Sequence, residues 1–195
     1  IADGELYFYL TKRLEGEQVK IGTMYEDDFI EKARFVGEII GQLSLALAGV
    51  DVLVNDANIY ESVTNWAIPQ LREKLSVSEQ VFSDYEKNFG TLFPELPKQI
   101  IHRDPNPGNI ILANDKWGFI DFELSERNVR IFDPCYAATA ILSESFEIGN
   151  ETKLSKWIQI YKNIIYGYDD VVKLADAEKQ AIPYVILSNQ LLALA

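Results

Sequence analysis

The most informative part of this chain is the sequence H-R-D-P-N-P-G-N at residues 102–109, which is followed by I-D-F-E at residues 120–123. Two prolines and a glycine in the first segment exclude a continuous helix, because proline cannot donate a backbone hydrogen bond and glycine leaves the backbone unrestricted. Asp104 and Asn109 lie in this first segment, and Asp121 lies in the second. The sequence therefore predicts a polar loop that carries acid and amide side chains.

Short apolar runs flank both segments and predict strands. These runs occupy residues 99–101, 110–112 and 119–122. The polar residues 114–118, between the last two runs, predict the turn of a hairpin. We therefore expect the three oxygen-bearing side chains of the loop to meet at the ends of adjacent strands.

Carboxylate and amide oxygens grouped in this way suit phosphoryl transfer. That reaction needs one carboxylate beside the attacking hydroxyl and oxygen ligands for a magnesium ion on the nucleotide phosphates. Asp104 fits the first requirement, and Asn109 and Asp121 fit the second. Taken singly, each of the three is also typical of a turn, because Asp and Asn side chains bond to their own backbone. Their combination at this spacing favours the chemical interpretation.

The rest of the chain has mainly the periodicity of packed helices. Apolar residues recur at three- and four-residue steps, as they do on a helix that buries one face. Helices are predicted over residues 26–47, 60–75, 78–89 (capped by Ser78) and along the stripe 157–168, and a strand over residues 6–10. Gly37 and Gly41 share one face of the first helix, and their spacing predicts the close approach of a neighbouring element.

The composition excludes several classes of protein. With 30 acidic and 18 basic residues the formal charge is -12, which argues against nucleic-acid binding and favours a neutral or cationic small substrate. The single cysteine, Cys135, excludes an internal disulfide, and no Cys/His cluster offers a zinc site. No apolar stretch approaches the roughly 18–20 residues of a membrane span. We expect a cytoplasmic protein with no membrane or nucleic-acid partner.

The loop residues resemble those of a known group of enzymes. His102, Asp104 and Asn109 match the H-x-D-x-x-x-x-N catalytic loop of kinases, and the segment 121–123 stands where their metal-binding D-F-G segment stands. The P-G-N-I run, with I-D-F-E soon after it, is more similar to aminoglycoside phosphotransferases and choline or ethanolamine kinases than to protein kinases. The resemblance is specific over residues 101–135 and suggestive elsewhere.

This resemblance implies an α+β, protein-kinase-like fold, represented mainly by its helical C-terminal lobe. Residues 1–16 would be the end of the nucleotide lobe and the hinge, and residues 17–195 the helical catalytic lobe, incomplete at both ends. In this arrangement Thr11, Lys12 and Arg13 would offer backbone groups to the adenine of a nucleotide.

The same resemblance assigns roles to the loop residues, with ATP and Mg2+ as cofactors. Asp104 would be the catalytic residue, and Asn109 and Asp121 the metal ligands. His102 and Asp133 would support the loop. Glu123 is equally compatible with a metal or substrate contact and with a solvated position after a strand.

The implied function is ATP-dependent phosphorylation of a small-molecule hydroxyl, with an aminoglycoside-, choline- or homoserine-like acceptor. Two alternatives are a catalytically inactive kinase-like binding or scaffold protein and an inactive fragment of the enzyme. The glycine-rich turn and the phosphate-binding lysine of the family would precede this sequence, which supplies neither. Because the chain opens at Ile1 without an initiator methionine and stops in an apolar run, we expect it to be part of a longer protein.

Overall fold

The computed structural model describes residues 13–114 and 116–195. The strand predicted over residues 6–10 lies outside this range, as do Thr11 and Lys12. Helices dominate the described part and accompany two small sheets, so the predicted α+β class is confirmed. None of the helices described is long and apolar enough to cross a membrane.

The helices follow the predicted periodicity, with two local distortions. Their bounds are α1 (Phe29–Ala48), α2 (Ile59–Ser62), α3 (Ile68–Lys74), α4 (Glu79–Asp84), α5 (Gly90–Leu92), α6 (Phe132–Ser145), α7 (Glu151–Val171) and α8 (Asp176–Leu194). Wider π-helical turns at Val63–Ala67 and Tyr85–Phe89 join α2 to α3 and α4 to α5. Helix α4 begins after Ser78 as predicted, but the Ser78 side chain makes no capping hydrogen bond within the described chain.

Six short strands form two separate sheets in the described part of the chain. The strands are β1 (Glu17–Gln18), β2 (Asn55–Asp56), β3 (Lys98–Ile101), β4 (Ile110–Ala113), β5 (Lys116–Phe119) and β6 (Glu126–Val129). One sheet has the order β1-β4-β5 and the other has the order β2-β6-β3. The expectation of adjacent strands was therefore wrong for Asp104, because it follows β3 whereas Asn109 and Asp121 flank the β4–β5 hairpin.

The second hairpin strand begins and ends earlier than predicted. It spans Lys116–Phe119, so the turn predicted over residues 114–118 was wrong for residues 116–118, which belong to the strand. It stops at Phe119, and residues 120–122 leave the ladder. Asp121 has a φ of 68°, a left-handed conformation that no regular strand contains. The Asp121 carboxylate lies near enough to His102 of the loop to influence the His102 pKa.

Helices α1 and α7 pack closely through glycines from both sides. A Cβ atom added at Gly37 would overlap the backbone carbonyl of Ile164, and one added at Gly167 would overlap the carbonyl of Arg34. Gly41 lies against Val171 in the same way, with 2.8 Å between its added Cβ and the Val171 Cβ. The close packing predicted from the glycine spacing is confirmed, and α7 is the neighbouring element.

A buried ion pair fixes the start of α6. The Arg130 guanidinium donates from Nε to Oε1 of Glu178 and from Nη2 to Oε2, each at 2.7 Å. Glu178 is fully buried in the first turn of α8, and its Oε2 also accepts the Ala175 backbone N–H at 2.9 Å. A bidentate pair with a further hydrogen bond holds its geometry well. It anchors the chain two residues before α6, the helix that carries Asp133.

Candidate active site

The loop after β3 is held by the buried carboxylate of Asp133. Its Oδ2 accepts the His102 backbone N–H at 3.0 Å, and its Oδ1 accepts the Arg103 backbone N–H at 2.9 Å. Arg103 has a φ of 73°, which is unfavourable for a residue with a side chain and persists only where the surroundings enforce it. Arg103 also forms an ion pair with Glu126, at 3.2 Å from Nε to Oε2. Two carboxylates therefore enforce the bend of this loop.

Burial sets the electrostatics of Asp133. It raises the pKa of this carboxyl to about 7, because desolvation disfavours the charged form more than the two backbone donors favour it. The Asp133 side chain is 1% exposed and follows the anchored start of α6. The geometry is that of a structural clamp on the loop backbone rather than of a group open to substrate.

His102 joins the loop to the segment that carries Asp121. Its Nε2 lies 3.0 Å from the carbonyl oxygen of Ile120, and its Nδ1 accepts the Asp104 backbone N–H at 3.3 Å. Both contacts are satisfied when the proton is on Nε2. Burial lowers the pKa of His102, which favours this neutral form. The imidazole also packs on the ring of Phe122, with 4.4 Å between centroids.

The carboxylate of Asp104 receives hydrogen bonds at both oxygens. Asn109 Nδ2 donates to Oδ2 at 3.1 Å and to the Asp104 backbone carbonyl at 2.9 Å. Asn106 Nδ2 donates to Oδ1 at 2.8 Å. Two fixed donors define the plane of the carboxylate, and each oxygen keeps a lone pair for a further donor.

Asn109 and Asp121 are brought together by the hairpin. The backbone N–H of Ile120 donates to the Asn109 carbonyl at 3.0 Å, one residue before Asp121. Asn109 is buried and directs its amide nitrogen to Asp104, which leaves its Oδ1 for another partner. Asp121 is exposed, and Glu123 is exposed two residues later.

The donor chemistry of this pair suits a hard divalent cation. A carboxylate and an amide oxygen are ligands that Mg2+ accepts, and Mg2+ commonly takes its other oxygens from water and substrate phosphates. The described residues include no group of three or more His, Cys, Asp or Glu side chains able to hold a metal. The oxygens of Asn109 and Asp121 therefore fit a metal that arrives with a nucleotide.

A cleft of about 570 Å³ is lined by Ile120, the residue before Asp121. Its lining also includes Ile111, Arg13, Gly16 and Gln18. Gln18 Nε2 donates to the Gly108 carbonyl at 2.7 Å and so ties β1 to the loop. Of the three residues predicted to bind adenine, the exposed Arg13 is at this cleft, whereas the other two lie outside the described residues.

Sequence reasoning missed two side chains of the site. Asn106 contacts Asp104 directly, and its position between two prolines, which restrict its backbone, was the available signal. Tyr136, on α6, lies beside Asp104. Burial and the neighbouring negative charge of Asp104 raise the pKa of the Tyr136 phenol. No pattern in the sequence marks Tyr136, because its proximity depends on how α6 packs against the loop.

Three solved structures with a related fold illustrate the comparison with known proteins. Amicoumacin kinase hAmiN in complex with AMP-PNP and Ca2+ has a TM-score of 0.63 at 14% identity, over 93% of this chain and 54% of that chain. Aminoglycoside 2'-phosphotransferase-IIIa has a TM-score of 0.52 at 14% identity, over 93% of this chain and 67% of that chain. Choline kinase from Cryptosporidium parvum Iowa II has a TM-score of 0.50 at 12% identity, over 92% of this chain and 61% of that chain. At these identities the likeness establishes the fold, and the predicted kinase-like fold is confirmed.

The chain spans about half the length of the kinase with the highest of these three scores. A search of curated protein sequences found no significant match. The model of the phosphotransferase enzyme family, APH, matches residues 2–152. That match covers well over half of the 195 residues and includes the whole loop and hairpin described above. The chain therefore belongs to the APH phosphotransferase enzyme family.

Proposed function

We propose that the protein containing this chain transfers the γ-phosphate of ATP to a hydroxyl group of a small molecule. One observation carries the proposal: Asp104, Asn109 and the segment leading to Asp121 form a single hydrogen-bonded site. Membership of a phosphotransferase family supports the reaction class. The acceptor and the nucleotide are the proposed parts.

In this proposal Asp104 accepts the proton of the attacking hydroxyl or holds its oxygen in line. The carboxylate suits this role because Asn106 and Asn109 fix its plane from both sides while each oxygen retains a free lone pair. His102 keeps the loop and the Asp121 segment in register, and Asp133 enforces the bend at Arg103. Positioning supplies most of the rate enhancement in such a site.

Asn109 and Asp121 would hold the magnesium ion through their oxygens. When bound, the ion offsets negative charge on the nucleotide phosphates. The chain would contribute two ligands from constrained backbone positions, because the Ile120–Asn109 backbone bond and the His102–Ile120 contact both constrain the chain next to Asp121. Glu123 would be either a further ligand contact or a solvated residue.

The nucleotide would occupy the cleft lined by Ile120. The apolar residues Ile111 and Ile120 suit the face of a base, and Arg13 also lines the cleft. Thr11 and Lys12, with Arg13, would offer backbone groups to the base. We propose that residues 1–16 are the end of the nucleotide lobe and the hinge, and that residues 17–195 are the helical catalytic lobe.

The acceptor belongs to a small set of alcohols. The excess of acidic residues, -12 in formal charge, favours a neutral or cationic molecule such as an aminoglycoside, an amino alcohol, an amino sugar or homoserine. We expect the reaction to take place in the cytoplasm, where ATP is supplied.

An acceptor panel tests the proposed function. Full-length protein is incubated with MgATP and kanamycin, choline, ethanolamine, glucosamine or homoserine, and ADP release is recorded together with the mass of the acceptor. We expect one acceptor to gain a phosphoryl group and to accelerate ADP release at least about tenfold over the rate without acceptor. Asp104→Asn serves as the control for contaminating activity. Absence of nucleotide binding and of transfer to every acceptor would indicate an inactive kinase-like binding protein instead.

A further inference from the structure

Asn106 is held in one backbone conformation by its neighbours. It lies between Pro105 and Pro107, both buried, and has φ -66° and ψ 157°. A residue that precedes proline is restricted to extended conformations, and Pro107 therefore fixes the direction in which the Asn106 side chain leaves the backbone. Its backbone carbonyl also accepts the Asn109 N–H at 2.9 Å.

The Asn106 side chain folds back over Gly108 to reach Asp104. A Cβ atom added at Gly108 would lie 2.9 Å from Asn106 Oδ1, closer than real Cβ contacts. The absence of a side chain at 108 therefore leaves room for the amide group. With Oδ1 over Gly108, the Nδ2 atom donates to Asp104 Oδ1 at 2.8 Å.

Asn106 and Asn109 both donate to the Asp104 carboxylate, but their other contacts differ. Asn109 donates to the backbone as well as to the carboxylate of Asp104, so its loss disturbs both the loop and the metal site. The described contacts of the Asn106 side chain are with Asp104 and the space over Gly108. It therefore acts on the orientation of a single carboxylate.

We propose that Asn106 is a positioning residue that orients the Asp104 carboxylate toward the acceptor hydroxyl, with Gly108 providing the space that this requires; the inference rests on the proposed phosphotransferase function. Without the Asn106 donor, the Asp104 carboxylate loses its hydrogen bond at Oδ1 and is freer to rotate about its Cβ–Cγ bond. A misplacement on the order of 1 Å at a reacting group lowers rates by about 10²-fold.

Three substitutions of Asn106 separate its amide donor from its shape. Asn106→Asp keeps the shape but removes the donor and adds a negative charge, Asn106→Ala removes both, and Asn106→His returns an N–H at the same branch position. With the acceptor identified by the panel, we expect the Asn106→Asp and Asn106→Ala variants to have a kcat about 10- to 100-fold below that of the wild type. The kcat of the Asn106→His variant should be within about threefold of the wild-type value. The KM for ATP should change by less than about twofold. Asn163→Ala, which removes an exposed amide hydrogen bond on α7, is the matched control.

Gly108→Ala tests the same contact from the other side. The added methyl group should displace the Asn106 amide and lower kcat by a similar factor. In the Asn106→Ala background the same change should have little further effect, because the displaced group is already absent. Thermal melts of each variant establish that the fold is retained.

Native kcat in Asn106→Ala, failure of Asn106→His to recover activity, or fully additive effects of the Asn106 and Gly108 changes would overturn the proposal. Crystal structures of the wild-type and Asn106→Ala proteins give an answer that does not depend on turnover. We expect the Asp104 carboxylate to rotate in the variant, and an unchanged carboxylate would overturn the proposal. If no acceptor is phosphorylated, the proposed function fails while this structural comparison still decides the role of Asn106.

Discussion

The α1–α7 helix pair and the 102–121 loop achieve order in opposite ways. In the helix pair the two backbones approach because Gly37 and Gly167 lack side chains, and the backbone groups are satisfied within each helix. In residues 102–109 and at Asp121 the backbone is irregular, with left-handed Arg103 and Asp121, and side chains satisfy its polar groups. Asp133 and His102 supply those bonds from buried positions.

The difference predicts where substitutions have their effects. A change in the helix pair acts on packing and should lower stability throughout the domain. A change at the exposed groups of the loop should leave packing intact and alter activity alone. Changes at the buried clamps of the loop should affect both.

The largest effect is expected at Asp104. Asn has the shape of Asp but cannot take a proton, so Asp104→Asn should lower kcat by about 10²- to 10⁴-fold, the usual range for a general base. The ATP affinity should stay near that of the wild type, and the melting temperature should fall only slightly, because one of the two amide donors to this half-buried carboxylate loses its acceptor. Steady-state kinetics of the full-length protein measures this, with the exposed Asp27→Asn as control. Near-native turnover in folded Asp104→Asn would assign the reaction to another group, such as Glu123, or to no base.

The next largest effect is expected at Gly167, where a substitution should lower stability without acting on the candidate active site. Gly167→Ala places a methyl group against the Arg34 carbonyl, so the helices must separate, and we expect a loss of about 2–3 kcal/mol in unfolding free energy. Gly22→Ala is the matched control, because no atom lies within 4 Å of its added Cβ. Urea unfolding of both variants measures the difference. Equal stability of the two would show that the close contact of α1 and α7 is not formed.

A smaller and pH-dependent effect is expected at Asp133. The pKa of Asp133 is about 7 in the folded state and 3.8 in the unfolded state. Between about pH 4 and pH 7 the folded state therefore keeps a proton on this carboxyl that the unfolded state has released. The contribution of this carboxyl to unfolding free energy therefore falls as pH rises from about 4 to 7. An asparagine substituted for Asp133 does not titrate, and its amide accepts only one of the two backbone donors.

Asp133→Asn should consequently lower the free energy of unfolding by about 1–3 kcal/mol at pH 5, the cost of one unsatisfied buried donor. The difference from the wild type should be smaller at pH 8, because the wild type itself is less stable there. Urea unfolding at the two pH values measures this. Burial lowers the pKa of His102, but His102 is present in both proteins, so its contribution cancels in the difference. A loss that is constant or larger at pH 8 would contradict the electrostatic account of this clamp.

The sequence predicted the parts of the molecule that depend on local periodicity and on spacing along the chain. Helix α1, the helical stripe of α7 and the glycine contact between them follow from apolar steps and small residues. The grouping of Asp104, Asn109 and Asp121 followed from motif spacing, and their roles remain predictions.

The parts that failed depend on contacts between distant segments. The strand predicted over residues 119–122 ends at Phe119, because the Ile120 carbonyl bonds to His102 instead of continuing the ladder. The separation of β3 from β4 into two sheets depends on the pairing of β3 with β6, which no local pattern encodes. The approach of Tyr136 to Asp104 likewise depends on the packing of α6.

The most direct test of the central claim is the binding of MgATP, because it requires no knowledge of the acceptor. Isothermal titration of the full-length protein compares ATP affinity with and without Mg2+ in the wild type and in Asp121→Ala, with Asp27→Asn as control. The account predicts that Mg2+ strengthens ATP binding at least about tenfold in the wild type and control, and that Asp121→Ala loses most of this gain because a charged ligand is removed. An unchanged gain in Asp121→Ala would contradict the assignment of this loop as a metal–nucleotide site.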